Sequence, residues 1–174
     1  MRLGYADPPY LGSAGRYAEE HPDALDWNDP AQHVRLFERL QDEFDGWVLH
    51  LSARPESIAL YAPLVVGTGA RWCTWVKGFA AFKRNVSVAY AHEPVLIKAC
   101  RKPVVSGRLV LRDWIKESIT LRRGLTGAKP EKVVHWAIEL AGAQPQDTLI
   151  DMFPGTGAVG LAWETWRTQF FDAA

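Results

Sequence analysis

Four consecutive residues near the start of the chain, Asp7-Pro8-Pro9-Tyr10, carry groups that could prepare an aromatic amine for alkylation. Such an amine is a poor nucleophile because its lone pair is delocalised into the ring. The Asp7 carboxylate can accept one N–H hydrogen bond and the Pro8 carbonyl the other, on a backbone that two prolines stiffen. These bonds favour a tetrahedral nitrogen whose lone pair points at a methyl donor. The ring of Tyr10 offers a face on which a flipped base can stack.

A proline-rich turn capped by Asp7 is the alternative interpretation of the same four residues. By composition alone, the tetrapeptide would arise on the order of once per thousand chains of this length. The motif therefore favours amine chemistry, which also requires a binding site for a donor.

A second motif lies late in the chain, where the apolar run 148–153 leads into Gly155-Thr-Gly157-Ala-Val-Gly160. Glycines let a ligand approach the backbone closely, and the helix that follows presents an N-terminus that favours a carboxylate or phosphate. A tight strand-to-helix turn without a ligand is the alternative. A nicotinamide dinucleotide would require an acidic residue about 20 positions later, at the end of a second strand. Only Asp172 stands nearby, in an apparent tail, so we expect no such dinucleotide.

Both motifs depend on elements that alternate between strand and helix. The predicted strands span residues 1–6, 47–51, 71–78, 86–98 and 147–153, with a further candidate at 109–111. The predicted helices cover residues 30–45, 55–61, 130–140 and 155–168. Residues 11–29 are predicted to form a long loop because glycine, proline and asparagine interrupt every pattern there. This alternation predicts an α/β sheet with parallel strands at its centre.

The charges are unevenly distributed along a chain of 174 residues whose formal net charge is zero. Residues 1–60 hold eleven Asp or Glu and five Lys or Arg, whereas residues 71–132 hold fourteen Lys or Arg and four Asp or Glu. A basic half on a neutral protein favours a polyanionic partner, and a solvated surface is the alternative.

Composition also limits the class of protein. The length suits one domain with a substantial core. Cys73 and Cys100 are the only cysteines, and no Cys/His cluster suggests zinc, so we expect no metal and a reducing, cytoplasmic location. No apolar run reaches the roughly 18 residues that span a bilayer, and the first residues do not form a signal peptide.

Taken together, the two motifs resemble those of the DNA amino-methyltransferases, which make N6-methyladenine or N4-methylcytosine. Their order here is similar to that of the permuted group, in which the catalytic motif precedes the cofactor loop. Three intermediate stretches resemble the same group: Trp75-Val-Lys77, His92-Glu93 with its apolar continuation, and Lys129-Pro130 before a helix. The chain also resembles short methyltransferase-like proteins of phages and their actinobacterial hosts.

The resemblance implies a permuted, Rossmann-like α/β fold of the S-adenosylmethionine-dependent methyltransferases, with a truncated sheet edge. It implies one domain over 1–174, a catalytic motif at 7–10, a small recognition segment at 99–128 and a cofactor loop at 151–160. The glycine-loop strand should lie beside the strand that ends at Asp7. The edge left by missing strands invites pairing, which favours a homodimer.

The implied site residues fall into three groups. The catalytic residues are Asp7, Pro8, Pro9 and Tyr10. The residues that bind S-adenosylmethionine are Lys129, Pro130, Asp151, Phe153, Gly155 and Gly157. The nucleic-acid contacts are Lys77, Arg122 and Arg123.

Several alternatives remain open at the level of sequence. Asp before Pro-Pro favours adenine, since cytosine-N4 enzymes usually carry Ser there. DNA is the expected partner, and enzymes that modify RNA bases or protein glutamine carry related motifs. The family's ribose-binding acidic residue has no clear counterpart, so a degenerate relative that binds nucleic acid or cofactor without turnover is another reading. Lys77 and the arginine pair also suit a solvated surface, and His92 and Glu93 suit a structural role.

Overall fold

Six strands and four α-helices make up the regular structure in the computed structural model, which describes residues 1–16, 22–79, 87–103, 110–119 and 128–169. The strands are β1 (Arg2–Ala6), β2 (Gly46–His50), β3 (Arg71–Lys77), β4 (His92–Lys98), β5 (Trp114–Glu117) and β6 (Thr148–Asp151). The helices are α1 (Pro30–Glu43), α2 (Pro55–Val65), α3 (Glu131–Leu140) and α4 (Ala158–Thr168). Two 3-10 segments, Ala14–Arg16 and Pro22–Asn28, precede α1. None of the described helices is long and apolar enough to cross a membrane.

The strands form one sheet in the order β5-β3-β4-β2-β1-β6. β1 pairs in parallel with both β2 and β6, whereas β4 runs antiparallel to β2 and β3. β5 pairs in parallel with β3. The prediction of a parallel centre is therefore confirmed for β2, β1 and β6, and the described part of the chain places β6 at an edge.

Helices cover both faces of the sheet because successive strand residues point to opposite sides. Leu3, Tyr5 and Val48 pack with α3 and α4 in one cluster of buried residues. Trp47 and Leu49 pack with α1 and α2 in the other. The result is three layers, in which the carboxyl ends of β1, β2 and β6 lie at the same end of the sheet.

The predicted helix start at Pro30 is confirmed, and the residue before it caps the helix. The side chain of Asp29 accepts a hydrogen bond from the backbone N–H of Ala31 at 2.9 Å. Such a cap satisfies one of the donors that a helix N-terminus leaves without an internal partner.

The candidate strand at 109–111 is wrong where it can be compared. Residues 110–111 are not in a strand, and residue 109 lies outside the described residues. The strand forms at β5 instead, because the chain is bound to its neighbours from Arg112 onward. The Arg112 carbonyl accepts the indole N–H of Trp136 at 2.9 Å, and the Asp113 carbonyl accepts the N–H of Thr74 at 2.9 Å.

The two largest other differences from the predicted boundaries are in α2 and β4. Helix α2 continues past Tyr61 to Val65 with Pro63 inside it. A proline removes one backbone donor, and this position in the last turn limits the loss to a bond at the end of the helix. The strand predicted over 86–98 begins only at His92, which is the first residue in register with β3.

Candidate active site

The two sequence motifs meet because the strands that lead into them are neighbours. β1 and β6 are parallel, and Tyr5 is in register with Asp151. The N–H of Met152 donates to the carbonyl of Tyr5 at 2.9 Å, which extends the pairing beyond β6. The predicted adjacency of these strands is therefore confirmed, and the Asp7 motif and the glycine loop leave the sheet side by side.

The Asp7 carboxylate is held by two side chains. The Tyr10 hydroxyl donates to Asp7 Oδ1 at 3.1 Å. The Lys129 ammonium lies 2.8 Å from Asp7 Oδ2 and 3.2 Å from the Tyr10 hydroxyl oxygen, to which it donates. Pro8 is buried, and the Asp7 side chain is 20% exposed. The motif is thus a fixed carboxylate on a rigid turn that remains open to solvent.

Glu93, the second residue of β4, lies behind Lys129 and is almost fully buried, at 4% exposure. Its Oε1 is 3.1 Å from Lys129 Nζ and 2.9 Å from His50 Nδ1, and its Oε2 is 3.0 Å from Lys77 Nζ. The other ring nitrogen of His50 lies 2.7 Å from the Tyr5 hydroxyl. A continuous polar cluster therefore runs from the core of the sheet to Asp7.

The charges in this cluster stabilise one another. Burial alone would raise the pKa of the Glu93 carboxyl, but Lys129, His50 and Lys77 outweigh it and hold that pKa well below its usual range. Burial also opposes the charge on Lys129, yet Asp7 and Glu93 raise the pKa of its ammonium above the usual value. Lys129 therefore remains a cation and cannot serve as a base.

Three groups in the cluster have a spacing that a metal ion could bridge. Ligand atoms of Asp7, His50 and Glu93 all lie within 4.8 Å of one another. However, the Lys129 ammonium already contacts two of these three residues, the carboxylates of Asp7 and Glu93. Since the cluster contains a cation of its own, we assign no metal to it.

The glycine loop next to this cluster has an open surface. Gly155 and Gly157 have φ angles of +39° and +74°, which favour glycine. Both are exposed, and a Cβ added at Gly157 would meet no atom within 4 Å. Gly157 is the N-cap of α4, whose first turn has neither a side-chain cap nor an acidic residue. The N-terminus of α4 therefore suits an anionic group.

Asp151 and Phe153, which precede these glycines in the chain, link the loop to its surroundings. The Asp151 carboxylate accepts the N–H of Phe153 at 3.1 Å. Burial raises the pKa of Asp151, and the nearby charge of Asp7 adds to that shift. The ring of Phe153 lies edge-on to Trp27, with centroids 4.9 Å apart. The 3-10 segment that contains Trp27 thus packs against the loop.

The structure brings most of the sequence-predicted site residues together. The Asp7 motif lies beside the loop at Asp151–Gly157, and Lys129 contacts Asp7 directly. Lys77 contacts Glu93, with its side chain 20% exposed. Arg122 and Arg123 lie outside the described residues, as do residues 104–109 and 120–127 of the proposed recognition segment and Asp172.

Sequence reasoning missed His50 and Tyr5, and it gave Glu93 a general structural role. His50 is 0% exposed and ends a strand whose other residues are glycine and apolar side chains. A fully polar residue at the carboxyl end of a buried strand is a signal that could have found it. Its partner Glu93 lies 43 positions away, so no local spacing reveals the pair.

Comparison with known proteins identifies the fold. No family model matches the chain, and no curated protein sequence matches it. A solved structure of the M1.HpyAVI–SAM complex is 21% identical, with a TM-score of 0.52, and the alignment covers 95% of this chain and 78% of that one. A second crystal structure of M1.HpyAVI is also 21% identical, with a TM-score of 0.53 and coverage of 95% of this chain and 76% of that one. The predicted Rossmann-like α/β methyltransferase fold is thereby confirmed.

Proposed function

We propose that this chain is an S-adenosylmethionine-dependent methyltransferase that acts on the exocyclic amine of a DNA base, with adenine N6 as its target. One observation carries the proposal. The Asp7-Pro8-Pro9-Tyr10 turn leaves β1 beside the glycine loop that leaves β6, in a fold similar to that of M1.HpyAVI, which was solved with SAM. An amine-orienting carboxylate and a loop suited to a donor thus share one end of the sheet.

The glycine loop fits S-adenosylmethionine by its exposed backbone and by the anion-favouring N-terminus of α4. When bound, the cofactor would supply an electrophilic methyl group on a sulfonium. In this proposal the cofactor's contacts are Lys129, Pro130, Asp151, Phe153, Gly155 and Gly157. The half-buried Asp151 would accept hydrogen bonds from the cofactor's amino group, and the Lys129-Pro130 turn would pack beside its methionine end.

The catalytic residues act by positioning. Asp7 and the Pro8 carbonyl would each accept one N–H of the amine, so that its lone pair points toward the donor. The Tyr10 hydroxyl bond to Asp7 fixes the carboxylate, while the Tyr10 ring would stack on the flipped base. As the new N–CH3 bond forms, the extra proton on nitrogen leaves to solvent. Lys129 cannot take it, because it is already an ammonium.

DNA is proposed as the partner because the basic half of the chain favours a polyanion. Lys77, Arg122 and Arg123 would contact phosphates, and residues 99–128 would form a small recognition segment within a single domain over 1–174. Asp, rather than Ser, before Pro-Pro supports adenine. The edge position of β6 among the described strands favours a homodimer through strand pairing, and a cytoplasmic location fits a DNA substrate.

Calorimetric titration with S-adenosylmethionine tests the cofactor, and transfer of a tritiated methyl group tests the substrate. Duplex DNA, single-stranded DNA, ribosomal RNA and protein are offered in parallel, and we expect label in DNA as N6-methyladenine. Asp7→Ala should abolish transfer and leave the fold intact. Asp147→Asn is the control, since it alters a buried carboxylate that pairs with Arg101 away from Asp7.

Each failure has a distinct meaning. No heat of binding at millimolar cofactor would end the enzyme proposal. Label only in protein or RNA would refute the DNA substrate, and full activity of Asp7→Ala would refute its role. Binding without transfer to any substrate would favour a catalytically degenerate relative. That alternative is motivated by the described sheet, in which no strand beyond β6 supplies a ribose-binding carboxylate.

A further inference from the structure

Glu93 is a carboxylate enclosed by cationic and basic groups, and the proposed chemistry does not use it. It is 4% exposed and contacts three cationic or basic groups, those of Lys129, His50 and Lys77. A buried carboxylate costs free energy unless such partners surround it. Although β4 is two strands away from β1, a carboxylate oxygen of Glu93 lies within 4.8 Å of one of Asp7, and the Lys129 ammonium contacts both carboxylates.

Lys129 provides that connection. An ammonium has three hydrogen-bond donors, and the Lys129 Nζ has three acceptors around it. These are Asp7 Oδ2 at 2.8 Å, Glu93 Oε1 at 3.1 Å and the Tyr10 hydroxyl at 3.2 Å. Its side chain is only 7% exposed, so water cannot replace a lost acceptor easily. The direction of the ammonium is therefore set by all three acceptors together.

We propose that Glu93 is a positioning residue that acts through Lys129 to fix the orientation of the Asp7 carboxylate. Glu93 anchors the ammonium from behind, and His50 anchors Glu93 through a 2.9 Å contact. Tyr5 on β1 in turn lies 2.7 Å from His50. Asp7 can then present its remaining lone pairs to a substrate amine in one direction. This inference rests on the proposed methyltransferase function.

The test compares kcat with KM for S-adenosylmethionine in a tritiated-methyl assay on unmethylated, random-sequence duplex DNA. Glu93→Gln keeps the shape of the side chain and removes its charge. We expect kcat to fall about 10- to 100-fold, because a small misplacement of a catalytic group costs that much. KM for the cofactor should stay within about twofold, because the loss is confined to the transition state.

A double-mutant cycle separates positioning from general support. Lys129→Met should lower kcat by at least as much as Glu93→Gln, and adding Glu93→Gln to Lys129→Met should cause little further loss in kcat. Asp147→Asn is the matched control, since it also neutralises a buried carboxylate that pairs with a cation. It should lower stability and leave kcat unchanged. Additive losses in the cycle, or an equal loss of kcat in Asp147→Asn, would overturn the inference.

A second readout does not require turnover. An ammonium with three buried acceptors exchanges its protons slowly, so the 15N signal of Lys129 should be visible by NMR and absent in Lys129→Met. We expect Glu93→Gln to remove or strongly broaden it and Asp147→Asn to retain it. If the wild-type protein transfers no methyl group, the proposed function fails, and this signal still decides whether Glu93 anchors the Lys129 ammonium. Its persistence in Glu93→Gln would refute the anchoring.

Discussion

Tyr10 combines two contributions in one side chain, and they can be separated. Its hydroxyl donates to Asp7 and accepts from Lys129, whereas its ring lies with the Lys129 ammonium 5.6 Å from the centroid. The hydroxyl therefore helps to fix the orientation of the Asp7 carboxylate. The ring is the part that a flipped base would contact.

Replacing Tyr10 tests this division. Tyr10→Phe keeps the ring and loses the bond to Asp7, so kcat should fall several-fold, corresponding to about 1 kcal/mol for one hydrogen bond. Tyr10→Ala should in addition weaken DNA binding by the roughly 1–3 kcal/mol of a stacked base. Steady-state kinetics with varied DNA would show a raised KM only in the Ala variant. Equal KM values for DNA in both variants would contradict a stacking role.

At the scale of single residues, the sequence predicted the Asp7 turn and Lys129 but not the contact between His50 and Glu93. Asp7, Pro8 and Tyr10 lie within four consecutive residues, so their combined chemistry is visible in a short window. His50 and Glu93 become neighbours only through the pairing of β2 with β4, in which His50 is in register with Val95. Register of distant strands is a tertiary property, and no local pattern encodes it.

Among the elements, the 3-10 segment Pro22–Asn28 depends on a buried histidine of α1. His33 is 2% exposed, and its Nε2 lies 2.9 Å from the Trp27 carbonyl, to which it donates. Its Nδ1 then accepts from the hydroxyl of Tyr61 in α2 at 2.8 Å. One neutral imidazole thus joins three elements, and the segment that it holds packs Trp27 against Phe153 of the glycine loop.

The two hydrogen bonds of the neutral His33 imidazole predict a loss of stability at mildly acidic pH. Burial lowers the pKa of His33 from the usual 6.5, despite the opposing effects of Trp27 and Asp29. The unfolded chain therefore binds a proton more readily than the folded one, and the free energy of unfolding must decrease as pH falls below about 6.5. Urea unfolding at pH 7.5 and 5.5 measures the decrease. The decrease in the free energy of unfolding between these two pH values should be smaller in His33→Gln.

His135 provides the control, since it is a second histidine that lies on α3, away from the contacts of His33, with Nε2 2.9 Å from the Ala162 carbonyl. His135→Gln should retain the decrease between pH 7.5 and 5.5. An unchanged pH dependence in His33→Gln would show that another group is responsible.

The elements themselves were largely predictable, and the exceptions have local causes. Periodicity and the Asp29-Pro30 start identified α1, since a long amphipathic helix carries many consistent signals. The candidate strand at 109–111 failed because contacts of Arg112 and Asp113 with α3 and β3 begin the pairing later. Such tertiary hydrogen bonds override the short apolar run that suggested the strand.

In the whole molecule, contacts that stabilise the fold lie at one end of the sheet, and the candidate active site lies at the other end. At the amino end of β6, Asp147 is fixed by Arg101, by the amino group of Met1 and by the N–H of Gln144. Burial would raise the pKa of Asp147, but these bonds outweigh it and lower that pKa to about 2. At the carboxyl end lie the Asp7 turn, the glycine loop and the Lys129 cluster. The contacts of Asp147 therefore contribute to stability, whereas the pairing of β1 with β6 keeps the two motifs adjacent at the other end.

The uneven charge of the whole chain leads to the last prediction, which concerns DNA binding. If the basic half contacts about four phosphates, counterion release should weaken affinity on the order of 100-fold between 50 and 200 mM salt. Fluorescence anisotropy with a labelled duplex measures this dependence. Replacing Arg122 and Arg123 together by Gln should reduce the slope of log affinity against log salt by about two.

Residues 1–60, in which Asp and Glu are in excess, offer a matched control in Arg35 and Arg39, which are exposed on α1. Arg39 pairs with Glu43 on the same helix, and Arg35 lies 3.8 Å from Asp29. Replacing both by Gln removes the same charge from the molecule, so an effect of net charge alone would change both slopes equally. A contact of DNA with residues 122 and 123 would change only the slope of the variant in which Arg122 and Arg123 are replaced. Equal slopes for the two double variants would therefore contradict a DNA surface on the basic half, while a change confined to Arg122 and Arg123 would support it.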